Sequence, residues 1–295
     1  MPEPLKIFVG DAVVPEHEAR VSVFDAGFQS GDAIWEGLRV YGGRVLKLDA
    51  HLRRLEESAH ALRIRLPYDR DGFVDAIRRT LDANGFVDDT HLRLMVTRGS
   101  RSTSGMDPRN APEVGTLVVI AERKPVDAEP APQRLRTASI RRPHPQVVDA
   151  SIHHANQLNS ILARLEVLDE PEVDATLMLD AFGYVAEADT ANLFCVSDGA
   201  VSTPFATSCL HGITRGSVLA ISAAAGYPTT ERQLTLFDVY NADEVFVTGT
   251  VCELVPVTVV DGRRIGTGSP GPVWRDLLER YRDEVRADVA RDTEL

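Results

Sequence analysis

Apolar residues recur along the chain with two periods, one typical of strands and the other of helices. Short runs rich in β-branched residues predict strands over KIFVGDAVV and EARVSVFD, and Gly42-Gly43 predicts the turn of a hairpin in GLRVYGGRVLKL. Five apolar residues then share one face of a predicted helix: Leu48, Leu52, Leu55, Ala59 and Leu62. A second helix is predicted over 68–84, ended by Gly85, and HLRLMVTRG and GTLVVIAER follow as strands.

The pattern changes at KPVDAEPAPQR, residues 124–134, which contains three prolines. Proline can neither extend a helix nor pair within a central strand, so this stretch is predicted to link two domains, 1–123 and 135–295. Helices and strands alternate irregularly beyond it: strand 135–140, helix 159–168, strands ATLMLD and ANLFCVS around Gly183, helix 215–225, strand 244–248 and helix 273–286. Many short strands favour an α+β fold, with a small N-terminal α/β domain and a larger barrel-like C-terminal domain.

Composition and charge narrow the function classes. The 295 residues carry a formal net charge of −12, which gives no electrostatic attraction to nucleic acid or to an anionic membrane surface. No apolar run reaches the roughly 18 residues of a membrane helix, and MPEPLKIFVGD lacks a signal-peptide pattern, so a cytoplasmic enzyme is expected. The three cysteines form no CxxC pair, which indicates neither a disulfide framework nor a structural zinc site.

Three local features are compatible with binding a small phosphorylated ligand. The turn Leu210-His211-Gly212 opens a predicted helix, whose first amides would face an anion, although Thr214 also suits a plain N-cap. Thr248-Gly249-Thr250 follows a strand and offers hydroxyl and amide donors, or is simply a turn that ends the strand. Arg54 lies on an early helix, where most arginines are solvated. Glu187 lies among apolar strands and needs a charge partner if it is buried.

Taken together and in order, the segments carry a family resemblance. They are GDAIWEGLRVYGG, HLRRLEESA, NQLNSILARLE, GYVAEADTANLF, LHGITRGSVL and DEVFVTGTVCELVPV. The sequence resembles the class IV aminotransferases, which are fold-type IV pyridoxal phosphate enzymes and include branched-chain and D-amino acid aminotransferases and aminodeoxychorismate lyase. The similarity extends from about Phe8 to Glu284.

The resemblance implies a two-domain fold, a homodimer, a small-molecule substrate and a role for each matching residue. Arg54, Ile213, Thr214 and Thr250 match the phosphate-binding residues of the family, and Glu187 matches the glutamate that pairs with the pyridine nitrogen. Such a carboxylate keeps the nitrogen protonated, so that the ring accepts electrons from the substrate. The branched-chain members place groups of the substrate pocket at the positions of Glu36, Arg39 and Tyr41.

One position departs from the family pattern. The family holds its cofactor through a lysine in a segment of the type I-K-x-x-N-x-L, and here that segment reads Ile152-His153-His154-Ala155-Asn156-Gln157-Leu158. The chain has only three lysines, and they lie outside the motifs: Lys6, Lys47 and Lys124. An imidazole cannot make the covalent bond that a lysine amine makes to the aldehyde of the cofactor. The alignment therefore predicts pyridoxal or pyridoxamine 5'-phosphate held without a covalent bond.

Three functions are compatible with this departure. In the first, an aminotransferase-like enzyme or lyase acts on an amino acid or 2-oxo acid with bound cofactor, and His153 is the base, since its ordinary pKa lies near neutrality. In the second, a lyase or hydrolase without cofactor reuses the fold, with His153 and His154 as acid and base. In the third, the protein only binds a small molecule. A metal site is not predicted, because adjacent histidines point apart and no second cluster has ligand spacing.

Overall fold

The computed structural model describes residues 4–290 and divides the chain into two compact units. The first comprises Met1–Val126, Ile152–Gln157 and Val285–Leu295, and the second comprises Asp127–Ser151 and Leu158–Glu284. The first division falls inside the predicted linker, between Val126 and Asp127. By this division the described residues 152–157 and 285–290 group with the first unit, and the predicted domain over 135–295 stays a prediction.

The first unit is built on a six-stranded antiparallel sheet in the order β2-β1-β6-β5-β3-β4. Its strands are Lys6–Val9 (β1), Ala12–Pro15 (β2), Ala33–Tyr41 (β3), Arg44–Val45 (β4), Thr90–Thr97 (β5) and Thr116–Arg123 (β6). Its helices are Ala26–Ser30 (α1), Leu48–Leu62 (α2) and Arg70–Asn84 (α3). The strand predicted over EARVSVFD is wrong. The Asp25 carboxylate accepts the amides of Gly27 and Phe28 and starts α1, so the preceding residues form a connection.

Helix α2 follows the predicted apolar face closely. Leu52 and Leu55 are buried against the sheet together with Leu38 of β3. The same helix also buries polar side chains on its inner side: His51, Arg54 and Ser58. Buried polar groups require hydrogen-bond partners, so these side chains mark α2 as more than a packing element.

The second unit contains a nine-stranded mixed sheet in the order β12-β11-β10-β13-β14-β7-β8-β9, with β15 paired to β14. Its strands are Gln133–Thr137 (β7), Ala175–Leu179 (β8), Val185–Ala188 (β9), Asn192–Ser197 (β10), Ala200–Thr203 (β11), Thr229–Glu231 (β12), Glu244–Gly249 (β13), Glu253–Val260 (β14) and Arg263–Arg264 (β15). Its helices are Leu158–Leu165 (α4), Ile213–Ala224 (α5), Leu236–Tyr240 (α6) and Pro272–Val289 (α7), the last of which continues into the residues of the first unit.

Several strands of the second unit escaped the sequence prediction. The longest is β14, which is buried along almost its whole length. A buried strand has no polar alternation, so its apolar run is hard to distinguish from other core segments. The expected α+β class is nevertheless confirmed. Among residues 4–290, no helix is long and apolar enough to cross a membrane.

Candidate active site

The segment that contains both histidines lies along the start of β3. The amide of Trp35 donates to the carbonyl of His153 at 3.0 Å, and the amide of Ala155 donates to the carbonyl of Ala33 at 2.8 Å. An isolated antiparallel bridge joins Ile34 and His154 between these two bonds. The backbone therefore fixes position 153 in the first unit, beside the residues that β3 and α2 bury.

Four polar side chains converge there, and we call them the Glu36 cluster: Glu36, His51, Arg54 and His153. Arg54 donates to both carboxylate oxygens, from Nε to Oε1 at 2.8 Å and from Nη2 to Oε2 at 2.6 Å. His51 Nδ1 lies 2.7 Å from Oε2, and His153 Nδ1 lies 3.2 Å from Oε1. Glu36 is completely buried. The structure thus brings together three of the residues predicted from the sequence and adds His51.

The electrostatics of the Glu36 cluster follow from its burial. Burial alone would raise the pKa of Glu36, but hydrogen bonds from Arg54, His153 and His51 outweigh it and hold that pKa well below its usual value. Burial lowers the pKa of both His51 and His153, and the Glu36 carboxylate opposes part of that shift. At neutral pH the cluster therefore contains one carboxylate, one guanidinium and two neutral imidazoles.

The two adjacent histidines have different surroundings. The His153 ring lies 4.3 Å from the Trp35 ring, between centroids, and the His153 amide donates to Ser58 Oγ at 3.1 Å. His154 contributes its backbone, because its carbonyl accepts from Trp35 Nε1 at 3.2 Å. Only His153 belongs to the Glu36 cluster. Its predicted role as a base, and that of His154 as a second acid or base, stay predictions.

Glu187 lies in the second unit, on β9. Its Oε1 is 2.8 Å from Nη2 of Arg142, while its Oε2 accepts from Asn192 Nδ2 and from the amide of Leu210, both at 3.2 Å. Burial raises the pKa of Glu187 to about 7, and the charge of Arg142 and the Leu210 amide only partly oppose it. The charged form of this carboxylate is only partly compensated, so a further cationic hydrogen-bond donor would stabilise it.

Asn192 connects Glu187 with the start of α5. Its Nδ2 also donates to the carbonyl of Leu210 at 3.0 Å, which fixes the turn before the helix. A Cβ on Gly212, the N-cap of α5, would come within 2.0 Å of Asn192 Oδ1, so any other residue there would displace the Asn192 side chain from its contacts. No side chain among residues 4–290 caps this helix, and the amides of its first residues, Ile213 and Thr214, keep their donor capacity for a ligand.

The other residues that the resemblance assigns to phosphate binding are Thr214, Thr250 and Arg54. Thr214 is buried, and its hydroxyl is hydrogen-bonded to Tyr281. Thr250 follows the end of β13 and is half-buried. Arg54 belongs to the first unit, whereas Ile213, Thr214 and Thr250 belong to the second.

Two predicted substrate residues, Arg39 and Tyr41, alternate with Leu38 and Val40 of the core along β3. Arg39 is almost fully buried, and its guanidinium lies 5.9 Å from the Tyr41 ring. Its Nε and Nη1 have no hydrogen-bond partner among the described residues.

Sequence reasoning missed Arg93, whose guanidinium lies 4.1 Å from the Trp35 ring. It also missed His91, where burial and the charge of Lys124 lower the pKa to about 4.

Comparison with known proteins gives the family. The model of the amino-transferase class IV family matches residues 33–260. The "putative branched-chain-amino-acid aminotransferase" of Methanocaldococcus jannaschii is 36% identical over 280 residues, which cover 95% of this chain and 96% of that protein. The chain belongs to the class IV aminotransferases.

Further similarities agree with that placement. "Branched-chain-amino-acid aminotransferase-like protein 2" of Arabidopsis thaliana is 45% identical over 285 residues, 96% of this chain. The chain spans about half of that protein's length, 51%. The T.th. branched-chain amino acid aminotransferase complexed with N-(5'-phosphopyridoxyl)-L-glutamate superposes with a TM-score of 0.91 at 31% identity, covering 100% of this chain and 97% of that one. It has also been solved with pyridoxamine 5'-phosphate.

The donor set of the second unit fits a pyridoxal phosphate group. Glu187 accepts three donors on two oxygens, which leaves acceptor capacity for a protonated ring nitrogen. The uncapped start of α5 offers two amides to a phosphate. Among the described residues, no cluster of His, Cys, Asp and Glu is arranged to hold a metal ion.

Proposed function

We propose that this chain is a branched-chain aminotransferase-like enzyme that acts on an amino acid or a 2-oxo acid, holds pyridoxal or pyridoxamine 5'-phosphate without a covalent bond, and uses His153 as its base. One observation carries the proposal. His153, which the family resemblance aligns with the lysine, is a neutral, partly buried imidazole in contact with both Arg54 and Glu36.

In the proposed reaction, different residues of the chain bind the cofactor and transfer the proton. When bound, the cofactor supplies a ring that accepts electron density from the bonds of the substrate α-carbon. In the second unit, Glu187 is assigned to the ring nitrogen and Ile213, Thr214 and Thr250 to the phosphate, through charge-assisted contacts that are stronger than neutral hydrogen bonds. The family resemblance adds Arg54 to the phosphate ligands. His153 takes up and releases a proton at its ring, because its lowered pKa leaves it in the free-base form at neutral pH.

The sheet face that carries Trp35, Arg39 and Tyr41 has the positive charge needed to bind an anionic substrate. Two buried guanidinium nitrogens of Arg39, Nε and Nη1, have no partner among the described residues, and Arg93 lies against Trp35, which also contacts His153. Buried guanidinium groups favour carboxylate ligands. We assign this face, with Tyr41, to recognition of the substrate carboxylate.

Glu187→Gln tests use of the cofactor. We expect this variant to bind pyridoxal 5'-phosphate about 10- to 100-fold more weakly, since a charge-assisted hydrogen bond to the ring nitrogen is lost. Titration followed by cofactor absorbance measures the affinity. Glu172→Gln, an exposed position of the same unit, removes the same charge and should bind as the wild type does. Because Arg142 loses its partner, thermal melting accompanies the titration. Equal affinity in folded Glu187→Gln would favour the cofactor-free lyase or the binding protein.

We also propose a homodimer, supported by an apolar face of the second unit. Five large aliphatic side chains follow helical spacing on or just beyond α4 and are 41–72% exposed: Leu158, Ile161, Leu162, Leu165 and Leu168. A contiguous apolar face of this kind typically marks a protein interface. A second copy of the chain is the occupant that the family resemblance implies.

Leu165→Asp is therefore expected to convert a dimer into a monomer, because it places a charge within the apolar face. Sedimentation or light scattering at micromolar concentration reads the mass. Phe237→Asp provides the control, since Phe237 is an exposed apolar side chain on α6 of the same unit, 75% exposed against 54% for Leu165. The mass of this variant should not change. A monomeric wild type, or a Leu165→Asp variant that stays dimeric, would contradict the assignment.

A further inference from the structure

We propose that Glu36 is a positioning residue: its carboxylate holds the His153 ring with Nδ1 protonated, so that Nε2 is the atom that takes up and releases the proton. The inference rests on the proposed function for the role of His153, but the placement of the ring rests on the Glu36 cluster alone. In the first unit, β3 supplies the carboxylate, α2 supplies its fixed donors, and the segment 152–157 supplies the base.

A count of donors and acceptors indicates the protonated nitrogen. A carboxylate has about four lone-pair sites, two on each oxygen. Arg54 Nε and His153 Nδ1 approach Oε1, and Arg54 Nη2 and His51 Nδ1 approach Oε2. If both imidazoles are protonated at Nδ1, four donors meet four acceptor sites in a place without solvent. Every acceptor site of the Glu36 carboxylate receives a donor only if His153 carries a proton on Nδ1.

The opposite tautomer is disfavoured by the same distances. A bare Nδ1 would point its lone pair at Glu36 Oε1 across 3.2 Å, and one acceptor site of a fully buried carboxylate would stay empty. In that tautomer, Nδ1 of His153 could accept a hydrogen bond from Arg54 Nη2. The two atoms are 3.4 Å apart, and Nη2 also donates to Glu36 Oε2 at 2.6 Å. The longer contact is near the limit of a hydrogen bond, so it does not repay the loss.

The rest of the residue is held as firmly as the ring. The backbone of His153 accepts from the amide of Trp35 and donates to Ser58 Oγ, and its ring lies against the Trp35 ring. Among the described residues, Nε2 has no hydrogen-bond partner, and 12% of the side chain is exposed. A preoriented imidazole whose Nε2 makes no hydrogen bond to the described residues suits proton transfer, which tolerates little misplacement.

Charge in the Glu36 cluster also favours this assignment. The groups that act on His153 are Glu36 from β3 and Arg54 and His51 from α2, and Lys47 at the start of α2 acts on His51. The positive charge of Arg54 and the negative charge of Glu36 cancel while both imidazoles are neutral. A proton taken up at Nε2 adds a positive charge to this cluster, in which Glu36 is the negative group that acts on His153. The same carboxylate therefore orients the base and stabilises its charged form, as carboxylates beside catalytic histidines do.

The experiment reads the histidine directly, in the protein without cofactor. Protein labelled with ¹⁵N-histidine is titrated by NMR, and the His153 signals are assigned from their loss in His153→Ala. We expect wild-type His153 to be protonated at Nδ1 and bare at Nε2 at neutral pH. In Glu36→Gln we expect the pKa of His153 to fall further and the tautomer preference to weaken, because the carboxylate that raises this pKa is gone. Asp25→Asn removes another buried carboxylate of the same unit and should leave the His153 signals unchanged.

Turnover of the cofactor-loaded enzyme gives the second readout. We expect Glu36→Gln to lower it about 10- to 100-fold, the usual cost of removing a group that orients a ligand or base, and to move the acid limb of the pH profile to lower pH. Wild-type His153 protonated at Nε2 would overturn the proposal, even if Glu36→Gln failed to fold. So would a folded Glu36→Gln with an unchanged His153 pKa and tautomer. If the NMR result holds but the wild type shows no turnover, the proposed function fails and the positioning by Glu36 stands.

Discussion

His153→Ala is expected to lower turnover by about 10²- to 10⁴-fold, the range that a positioned general base contributes. Cofactor affinity should change little. The contacts assigned to the ring nitrogen and to most of the phosphate lie in the second unit, on Glu187 and the start of α5, whereas His153 lies in the first. A loss of rate without a loss of binding is the signature of a residue that moves a proton rather than holding the ligand.

Single-turnover kinetics with an amino acid substrate measure the rate, and absorbance titration with pyridoxal 5'-phosphate measures the affinity. His60→Ala removes an exposed histidine of α2 and should behave as the wild type does. A His153→Ala variant with full turnover would remove the proposed role of His153. If His154→Ala lost turnover instead, the base would be its neighbour, although the described contacts of His154 run through its backbone.

The sequence was most informative where a local rule decides the structure. The apolar spacing from Leu48 to Leu62 predicted α2 to the residue, because a helix must bury one face. The turn at Gly212 predicted that a helix opens there, and α5 begins at Ile213, two residues before the predicted range 215–225. The alternation of Val21 and Val23 misled, since alternation predicts a strand only when a neighbouring strand is available, and the Asp25 cap starts a helix instead.

The Glu36 cluster was only partly visible, because it depends on contacts between residues distant in sequence. Glu36, Arg54 and His153 were each singled out by family resemblance, but no spacing rule places residue 153 against the start of β3. His51 was missed altogether. A buried histidine one turn before Arg54 gives no sequence signal apart from its place on the apolar side of α2, and its partner lies 15 residues away. Asn192 and Arg142 were missed for the same reason.

His153→Lys is expected to produce the opposite change, covalent attachment where the wild type has none. Position 153 lies beside Arg54 and is partly buried, and both conditions lower the pKa of an amine, whereas the Glu36 carboxylate raises it. The free-base fraction of a lysine introduced there is the nucleophile that attacks the aldehyde. After addition of pyridoxal 5'-phosphate and reduction with borohydride, intact mass should increase by one cofactor group. Digestion should place that mass on the peptide that contains position 153.

Two comparisons keep this prediction sharp. The wild type should gain no mass, because its three lysines, Lys6, Lys47 and Lys124, all lie outside the position that the resemblance gives to the cofactor lysine. His154→Lys introduces the same amine one residue further on, outside the Glu36 cluster, and should also stay unmodified. A modified wild type would mean that one of the three native lysines reaches the cofactor and that the alignment of His153 is wrong. If His153→Lys bound no cofactor, the pocket would differ from the family at more than this residue, and the cofactor-free enzyme would become the better proposal.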